Sequence, residues 1–218
     1  MNKPHVVVVD PGVRSPEIEE YNRIAINSHL PTTYHLPGLF GTRSLGLENP
    51  YFIRGIILLG SSSSVHDNLP WQDDLARWLK PLMFQGIPTL GLCFGHQFIA
   101  HIFGGEVGFA FADQHKEVGL RQVHLDSCRL WGGARTGPLV VSHREAILKL
   151  PTDFRPLGTS PLVKYEAFEH KQLPLWGFQS HPEAEIHFFS EQEFQLKRED
   201  LTFGHELVRC FLSSLSPL

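Results

Sequence analysis

The sequence predicts an α/β protein with an open, mostly parallel twisted sheet flanked by helices and a smaller antiparallel strand section. Three short apolar runs, His5–Asp10, Phe52–Leu59 and Thr89–Cys93, have the nearly continuous hydrophobicity of strands buried on both faces. Between the second and third runs, Pro70–Gln85 carries apolar residues at helical spacing. A strand, a helix and a strand in this order predict a right-handed crossover between parallel strands.

The other helices and strands are predicted from shorter signals. Phe94–Phe103 is expected to be a helix that ends at Gly104 and Gly105, because glycine readily adopts the left-handed conformation that stops a helix. Before the second strand, the sequence predicts a helix near Ile18–Ser28, a strand near Thr32–Leu36 and a glycine-rich loop.

The second half of the chain changes character. Glu106–Gln179 alternates apolar or β-branched residues with polar ones and is rich in glycine and proline, which predicts strands and turns that are partly antiparallel. Ala184–Leu215 is expected to be mostly helical. No shift in composition divides the chain, so residues 1–218 are expected to form a single domain.

Composition narrows the class of function. The 218 residues are 42% hydrophobic and 19% charged, with a net charge of -4 and no basic run, which argues against a nucleic-acid or membrane partner. The three cysteines fit neither a disulfide framework nor zinc spacing, and no metal site is expected. We find no signal-peptide pattern and no run of about 18 apolar residues. The sequence therefore predicts a soluble, cytoplasmic protein.

A candidate nucleophile stands where a predicted strand meets a predicted helix. Gly91–Gly95 reads G-x-C-x-G, the cysteine counterpart of the G-x-S-x-G nucleophile elbow. The following helix points its positive end at the sulfur of Cys93 and favours the thiolate. The alternative is that Cys93 is a small buried apolar residue. The strand-then-helix context favours the nucleophile, whereas Cys128 and Cys210 lack that context.

His181 is the candidate base among 13 histidines. An apolar strand ends in a polar tip that contains His181, Pro182 and Glu183. In an extended chain His181 and Glu183 would point to the same side, so the carboxylate could orient one ring nitrogen while the other faces Cys93. The alternative is an exposed loop histidine with an incidental glutamate.

Together these segments resemble the class I glutamine amidotransferases, the Cys-His-Glu family that includes the glutaminase domain of GMP synthases. Leu90–Gln97 is similar to the family's nucleophile block, and Gly177–Glu183 to its His-Pro-Glu block. Lys116–Gly119 and Val141–Glu145 are weaker matches in the right order. The resemblance covers about residue 55 to 185 and implies the same open α/β fold.

The resemblance implies attack by Cys93 on the side-chain amide of glutamine, with His181 protonating the leaving ammonia and water hydrolysing the thioester. It also implies oxyanion donors and substrate contacts, which are Gly60, Ser61, the N–H of Phe94, Gln97, Ser142 and His143. The loop at Gly60 departs from the family, because serines stand where two glycines and a proline are usual. Without the resemblance, Gln97 would be a polar residue on a helix surface, and serine-rich turns are usually only turns.

Three functions remain open from the sequence, and no cofactor is expected for any of them. The first is a glutaminase whose ammonia goes to a separate, unidentified synthase. The second is a stand-alone hydrolase of γ-glutamyl peptides or conjugates. The third is a non-catalytic binding module, which has no physical need for Cys93, His181 and Glu183 together.

Overall fold

The structure is a computed structural model that describes residues 3–190 and 193–216. Eleven strands lie within these residues: β1 (His5–Val9), β2 (Thr32–His35), β3 (Ile53–Leu58), β4 (Thr89–Leu92), β5 (Glu106–Phe109), β6 (Glu117–Leu125), β7 (Arg135–His143), β8 (Glu145–Lys149), β9 (Phe154–Thr159), β10 (Ala167–His170) and β11 (Leu175–Phe178). The α-helices of the same residues are α1 (Ile18–Asn27), α2 (Pro37–Phe40), α3 (Pro70–Phe84), α4 (Phe94–Ile102) and α5 (Arg198–Ser214). None of these helices is both long enough and apolar enough to cross a lipid bilayer.

The main sheet has nine strands in the order β2-β1-β3-β4-β11-β10-β9-β6-β7. The first five strands are parallel to their neighbours, and the remaining four continue the sheet in antiparallel fashion. Strands β5 and β8 form a separate antiparallel pair. The predicted α/β class is confirmed, including a parallel part and an antiparallel part.

Both faces of the parallel strands are buried because successive side chains alternate between them. Val6 and Val8 of β1 point to one face, where they join a core with Ile24 of α1 and Phe211 of α5. Val7 and Val9 point to the opposite face, into a core that also holds Leu75, Leu79, Phe98 and Ile99 of α3 and α4. This double burial explains why the strand sequences are apolar at nearly every position.

The prediction of a mostly helical segment over Ala184–Leu215 is wrong for its first half. The helix begins only at Arg198, and the described residues between 184 and 197 form turns and irregular structure. Residues 191 and 192 of that segment lie outside the described part. Phe189 and Leu196 pack with Val140 of β7 in a small separate core. The apolar residues here cover the sheet as a loop, which periodicity alone did not distinguish from a helix.

The turn between β4 and α4 is as tight as the glycine pattern predicts. Cys93 has a φ of +50°, a left-handed conformation that non-glycine residues rarely adopt. A Cβ atom on Gly91 would lie 2.5 Å from the carbonyl oxygen of Gly95. A Cβ on Gly95 would collide with the carbonyl oxygen of Leu58 in β3. The two glycines therefore allow α4 to pack directly on β4, which leads into Cys93, and on the neighbouring β3.

We expect Gly95→Ala to destabilise the fold by about 1–3 kcal/mol or more, the usual cost of forcing extra volume into a packed interior. The colliding partner is backbone, so it cannot swing away as a flexible side chain could. Urea denaturation of the variant and the parent would measure the difference. Gly133→Ala is the matched control, because a Cβ there meets nothing within 4 Å. Equal destabilisation by both substitutions would contradict the packing argument.

Candidate active site

Cys93 lies at the carboxyl end of β4, where open α/β sheets place their ligands. Its side chain is 4% exposed, and its N–H donates a hydrogen bond of 2.8 Å to the carbonyl oxygen of Phe178 in the neighbouring β11. The sulfur lies 3.9 Å from Nε2 of Gln179 and 3.9 Å from the carbonyl oxygen of Ser142. Cys93 is thus fixed between β11 and the end of β7.

His181 and Glu183 follow β11, so they reach the same edge of the sheet as Cys93. The backbone N–H of His181 donates to the carbonyl oxygen of Val140 at 2.7 Å, which ties the segment to β7. The expectation of an extended chain here is wrong, because Pro182 and Glu183 form a turn. The pair still meets: Nδ1 of His181 and Oε1 of Glu183 are 2.9 Å apart. Both residues are buried, at 6% and 2% exposure.

Gly60 brings a third element, the loop after β3, against the same two side chains. A Cβ atom on Gly60 would lie 2.7 Å from Cε1 of His181 and 3.7 Å from Cβ of Cys93. The structure therefore brings the sequence-predicted Cys93, His181, Glu183 and Gly60 into one cluster. Only a residue without a side chain fits between the loop and the imidazole.

The surroundings of His181 favour its charged form. Burial lowers the pKa of the ring, but charge and hydrogen-bond interactions with Cys93 and Glu183 outweigh it and raise the pKa well above the ordinary value. Because Nδ1 is bonded to Glu183, the nitrogen left for Cys93 is Nε2. That atom is buried and has no oxygen or nitrogen partner among the described residues.

A cavity of about 460 Å³ opens beside Cys93. Among the residues that line it are the sequence-predicted Ser61, Gln97, Ser142 and His143. Phe94 differs from them, because its side chain is 1% exposed and belongs to the core under α3 and α4. Only the backbone of Phe94, at the start of α4, is available to a substrate.

Gln97 is not a surface residue of α4, since it is only 4% exposed. Its Nε2 donates to the carbonyl oxygen of Glu145 at 2.7 Å and to Oε1 of Gln179 at 3.2 Å. Sequence reasoning missed Gln179 as a neighbour of Cys93, although it stands in the same block as His181. The polar tip of an otherwise apolar strand was the signal that could have identified it.

The serines after Gly60 make the hydrogen bonds of a turn. The hydroxyl of Ser61 donates to the carbonyl oxygen of Pro11 at 2.8 Å and accepts from the N–H of Ser63 at 3.1 Å. His96, the histidine next to the nucleophile turn, is fully buried and stacked on Phe168 with ring centroids 4.6 Å apart. Burial lowers the pKa of His96 to about 3, so it stays neutral and structural.

Helix α1 places the carboxyl group of Glu20 beside the segment that follows His181, which the sequence did not reveal. Glu20 is 5% exposed, and its Oε1 accepts the N–H of Glu185 at 3.3 Å. Burial raises the pKa of Glu20 to about 7, and the charges of Glu17 and Glu183 add to the increase. The carboxyl group of Glu20 therefore stays protonated to a higher pH in the folded protein than in the unfolded chain.

This shift predicts a pH-dependent effect of Glu20→Gln. Because the folded-state pKa is raised, Glu20 costs stability as pH rises from about 4.5 to 7, and the full cost persists above that range. The glutamine side chain introduced at position 20 keeps an oxygen that can accept the N–H of Glu185, and it cannot ionise. We expect Glu20→Gln to stabilise the protein by up to roughly 3 kcal/mol at pH 8 and to have little effect at pH 4.

Thermal or denaturant unfolding at the two pH values would measure this difference. Glu19→Gln is the matched control, because Glu19 lies on the same helix and is exposed. A stabilisation by Glu20→Gln that is equal at pH 4 and pH 8 would contradict the assignment of the cost to ionisation.

The fold and the site together define a class: an open α/β protein that presents a cysteine on a strand–helix turn beside a carboxylate-bound histidine, an arrangement suited to nucleophilic catalysis. Residues 47–195 match the family described as "Glutamine amidotransferase class-I". The chain belongs to this class I glutamine amidotransferase family.

The relatives and solved structures agree with that membership. Over 126 residues the chain is 40% identical to a subunit of the glutamine-hydrolysing GMP synthase of Archaeoglobus fulgidus, covering 58% of this chain and 61% of that protein. It is 39% identical over 98 residues to the corresponding GMP synthase subunit of Methanothermobacter thermautotrophicus, covering 45% of this chain and 52% of that protein. The matched part thus spans less than two thirds of either relative.

Two solved structures share the fold over nearly the whole chain. A glutamine amidotransferase from Thermotoga maritima superposes with a TM-score of 0.78 at 17% identity, covering 98% of each chain. One from Methylobacillus flagellatus gives a TM-score of 0.74 at 18% identity, covering 97% of this chain and 93% of the other. At these identities the likeness is one of fold.

Proposed function

We propose that this protein is a glutaminase, which hydrolyses the side-chain amide of glutamine through a γ-glutamyl thioester on Cys93. The observation that carries the proposal is the convergence on Gly60, where His181, bonded to Glu183 at 2.9 Å, meets Cys93. The two relatives named above are subunits of glutamine-hydrolysing GMP synthases, which supports glutamine as the substrate. We also propose that residues 1–218 act as one amidotransferase domain.

In the proposed reaction, His181 takes the thiol proton and the thiolate of Cys93 attacks the amide carbon. The N–H of Phe94 at the start of α4, together with the backbone of Gly60 and Ser61, would stabilise the oxyanion. His181 then gives its proton to the leaving ammonia. Water, activated by the same imidazole, hydrolyses the thioester and releases glutamate. Glu183 keeps the ring oriented and its charge balanced throughout.

We propose that the ammonia is passed to a separate synthase. Ammonia released into water is lost to the acceptor reaction, and the two relatives named above are each one subunit of a synthase. Phe109 lines the cavity and is 46% exposed, so an exposed apolar side chain is available to a partner that covers the site.

One observation favours a second candidate, hydrolysis of larger γ-glutamyl compounds. The cavity volume of about 460 Å³ falls in the range of roughly 300–1,000 Å³ that is usual for drug-sized ligands. A γ-glutamyl peptide or conjugate would use more of this space than glutamine does. The same thioester chemistry would serve both substrates.

The test is labelling with a glutamine-mimicking electrophile, mass mapping of the adduct, and steady-state assays with glutamine and γ-glutamyl dipeptides. We expect one adduct, on Cys93, that glutamine protects against. Turnover of glutamine supports the glutaminase, and faster turnover of dipeptides supports the second candidate. An adduct on Cys128 or Cys210, or no turnover of either substrate with or without candidate partners, would reject the catalytic proposal.

A further inference from the structure

A second histidine, His143, lies at the end of β7 in the wall of the Cys93 cavity. Behind it is a buried ion pair: Nη1 of Arg121 in β6 donates to Oε1 of Glu166 at 2.8 Å. The exposed fractions are 4% for His143, 5% for Arg121 and 0% for Glu166. Nη2 of Arg121 lies 3.1 Å from Nε2 of His143.

These contacts fix which nitrogen of His143 carries the proton. Nδ1 lies 3.1 Å from the carbonyl oxygen of Glu145, which can only accept, so Nδ1 is the donor. Nε2 must then accept from the guanidinium of Arg121, which can only donate. A proton on Nε2 would put two donors face to face. Burial, followed by the charge of Arg121, lowers the pKa of His143 to about 3.

Because of its position, the charge state of His143 affects the surroundings of the Cys93 sulfur and of His181. Its neighbour Ser142 presents a carbonyl oxygen 3.9 Å from the sulfur of Cys93. The charge of His181 also acts on His143, so a proton on one ring disfavours a proton on the other. If both rings could ionise near neutral pH, two cations would compete beside a single thiol.

We propose that Arg121 and Glu166 are positioning residues that hold His143 neutral, so that His181 alone exchanges a proton with Cys93. This inference rests on the proposed function of the Cys93 site. Arg121 occupies the lone pair of His143, and Glu166 balances the buried guanidinium so that its charge does not oppose the imidazolium of His181. The carbonyl oxygen of Glu166 also accepts the N–H of Gln179 at 2.8 Å, which couples the pair to a neighbour of the sulfur.

Few other charged groups influence His143 among the described residues. Glu117 of β6 is the register partner of His143 in β7. Its Oε1 lies 3.7 Å from Nη2 of Arg121. His96 of α4 acts weakly on His143 and is itself buried and neutral. Arg121 is therefore the neighbour that dominates its charge after burial.

The test replaces the ion pair with neutral groups of similar size in Arg121→Met/Glu166→Gln, since exchanging a whole buried pair is often tolerated. We expect His143, followed by NMR of its ring nitrogens, to titrate at a pH at least about one unit higher than in the parent. We also expect kcat/KM to gain an ionisation on its acid side at that pH. Arg121→Lys, which keeps the charge, should restore much of the parent titration.

Lys149→Met/Glu106→Gln removes an exposed ion pair of 2.9 Å and is the matched control. The inference would be overturned if His143 titrated at the same pH in the Arg121/Glu166 variant as in the parent. It would also be overturned if His143 titrated at a higher pH but the acid side of the kcat/KM profile did not change. If that variant fails to fold, the parent decides: a proton on Nε2 of its His143 at pH 6 would overturn it equally. Failure of the glutaminase proposal would instead appear as no turnover by the parent, with the ring titration still measurable.

Discussion

Replacing Cys93 with alanine should lower the rate of glutamine hydrolysis by at least about 10⁴-fold, because removing a nucleophile that works with its base removes the whole covalent pathway. The folded structure should persist, since Cys93 is small and alanine fills most of its volume. Ammonia release under saturating glutamine measures the effect directly. Binding of glutamine, measured by calorimetry, should survive.

Cys210→Ala is the matched control for this experiment. Cys210 is partly exposed and lies in α5, where it contacts the core on the face that holds Ile24. Cys210→Ala should leave turnover within about twofold of the parent, because Cys210 is only partly buried and does not line the cavity beside Cys93. Residual activity of a tenth or more in Cys93→Ala would show that the chemistry does not pass through a thioester on this residue.

The second large effect is expected for His181→Gln, which should lower kcat by about 10³–10⁴-fold, near the upper end of what general acid–base catalysis contributes. Glutamine can still bond to Glu183 but cannot accept the thiol proton or protonate ammonia. The raised pKa of His181 reflects its interaction with Cys93, so losing the ring should also slow alkylation of Cys93 by iodoacetamide at neutral pH.

His124→Gln provides the comparison for His181→Gln. His124 is exposed on β6, and its ring bonds only to the hydroxyl of Thr136 at 3.0 Å among the described residues. Its substitution should leave both turnover and alkylation unchanged. A His181→Gln variant that loses turnover but alkylates as fast as the parent would assign the ring to the leaving group and not to the thiol.

Much of the fold could be predicted from the sequence because the relevant signals are local. Within the run His5–Asp10, Val6–Val9 are apolar at successive positions, and both faces of that strand are buried. The helix predicted over Pro70–Gln85, which the structure shows as α3 (Pro70–Phe84), reveals its period in the spacing of large side chains. The segment after Ala184 was predicted wrongly, because its phenylalanines serve a small tertiary core that no sequence period encodes.

The residues of the candidate site also fall into two groups, those that local sequence signals could predict and those that they could not. Cys93 could be proposed from two glycines, because tight packing at a turn forbids a Cβ at both positions. His181 and Glu183 were paired for a partly wrong reason, since they meet across a turn and not along a strand. Arg121, Glu166 and Glu20 could not be found, because their roles depend on burial and on partners distant in the chain.

The backbone of Cys93 has a further consequence for the stability of the fold. A non-glycine residue held at a φ of +50° carries a cost of order 1–3 kcal/mol, which the surrounding sheet and helix must offset. Glycine at this position would relax that strain, so a Cys93→Gly protein would be more stable to unfolding but would lack the sulfur. Under the proposed function, the fold therefore gives up stability at the position where the thiol acts.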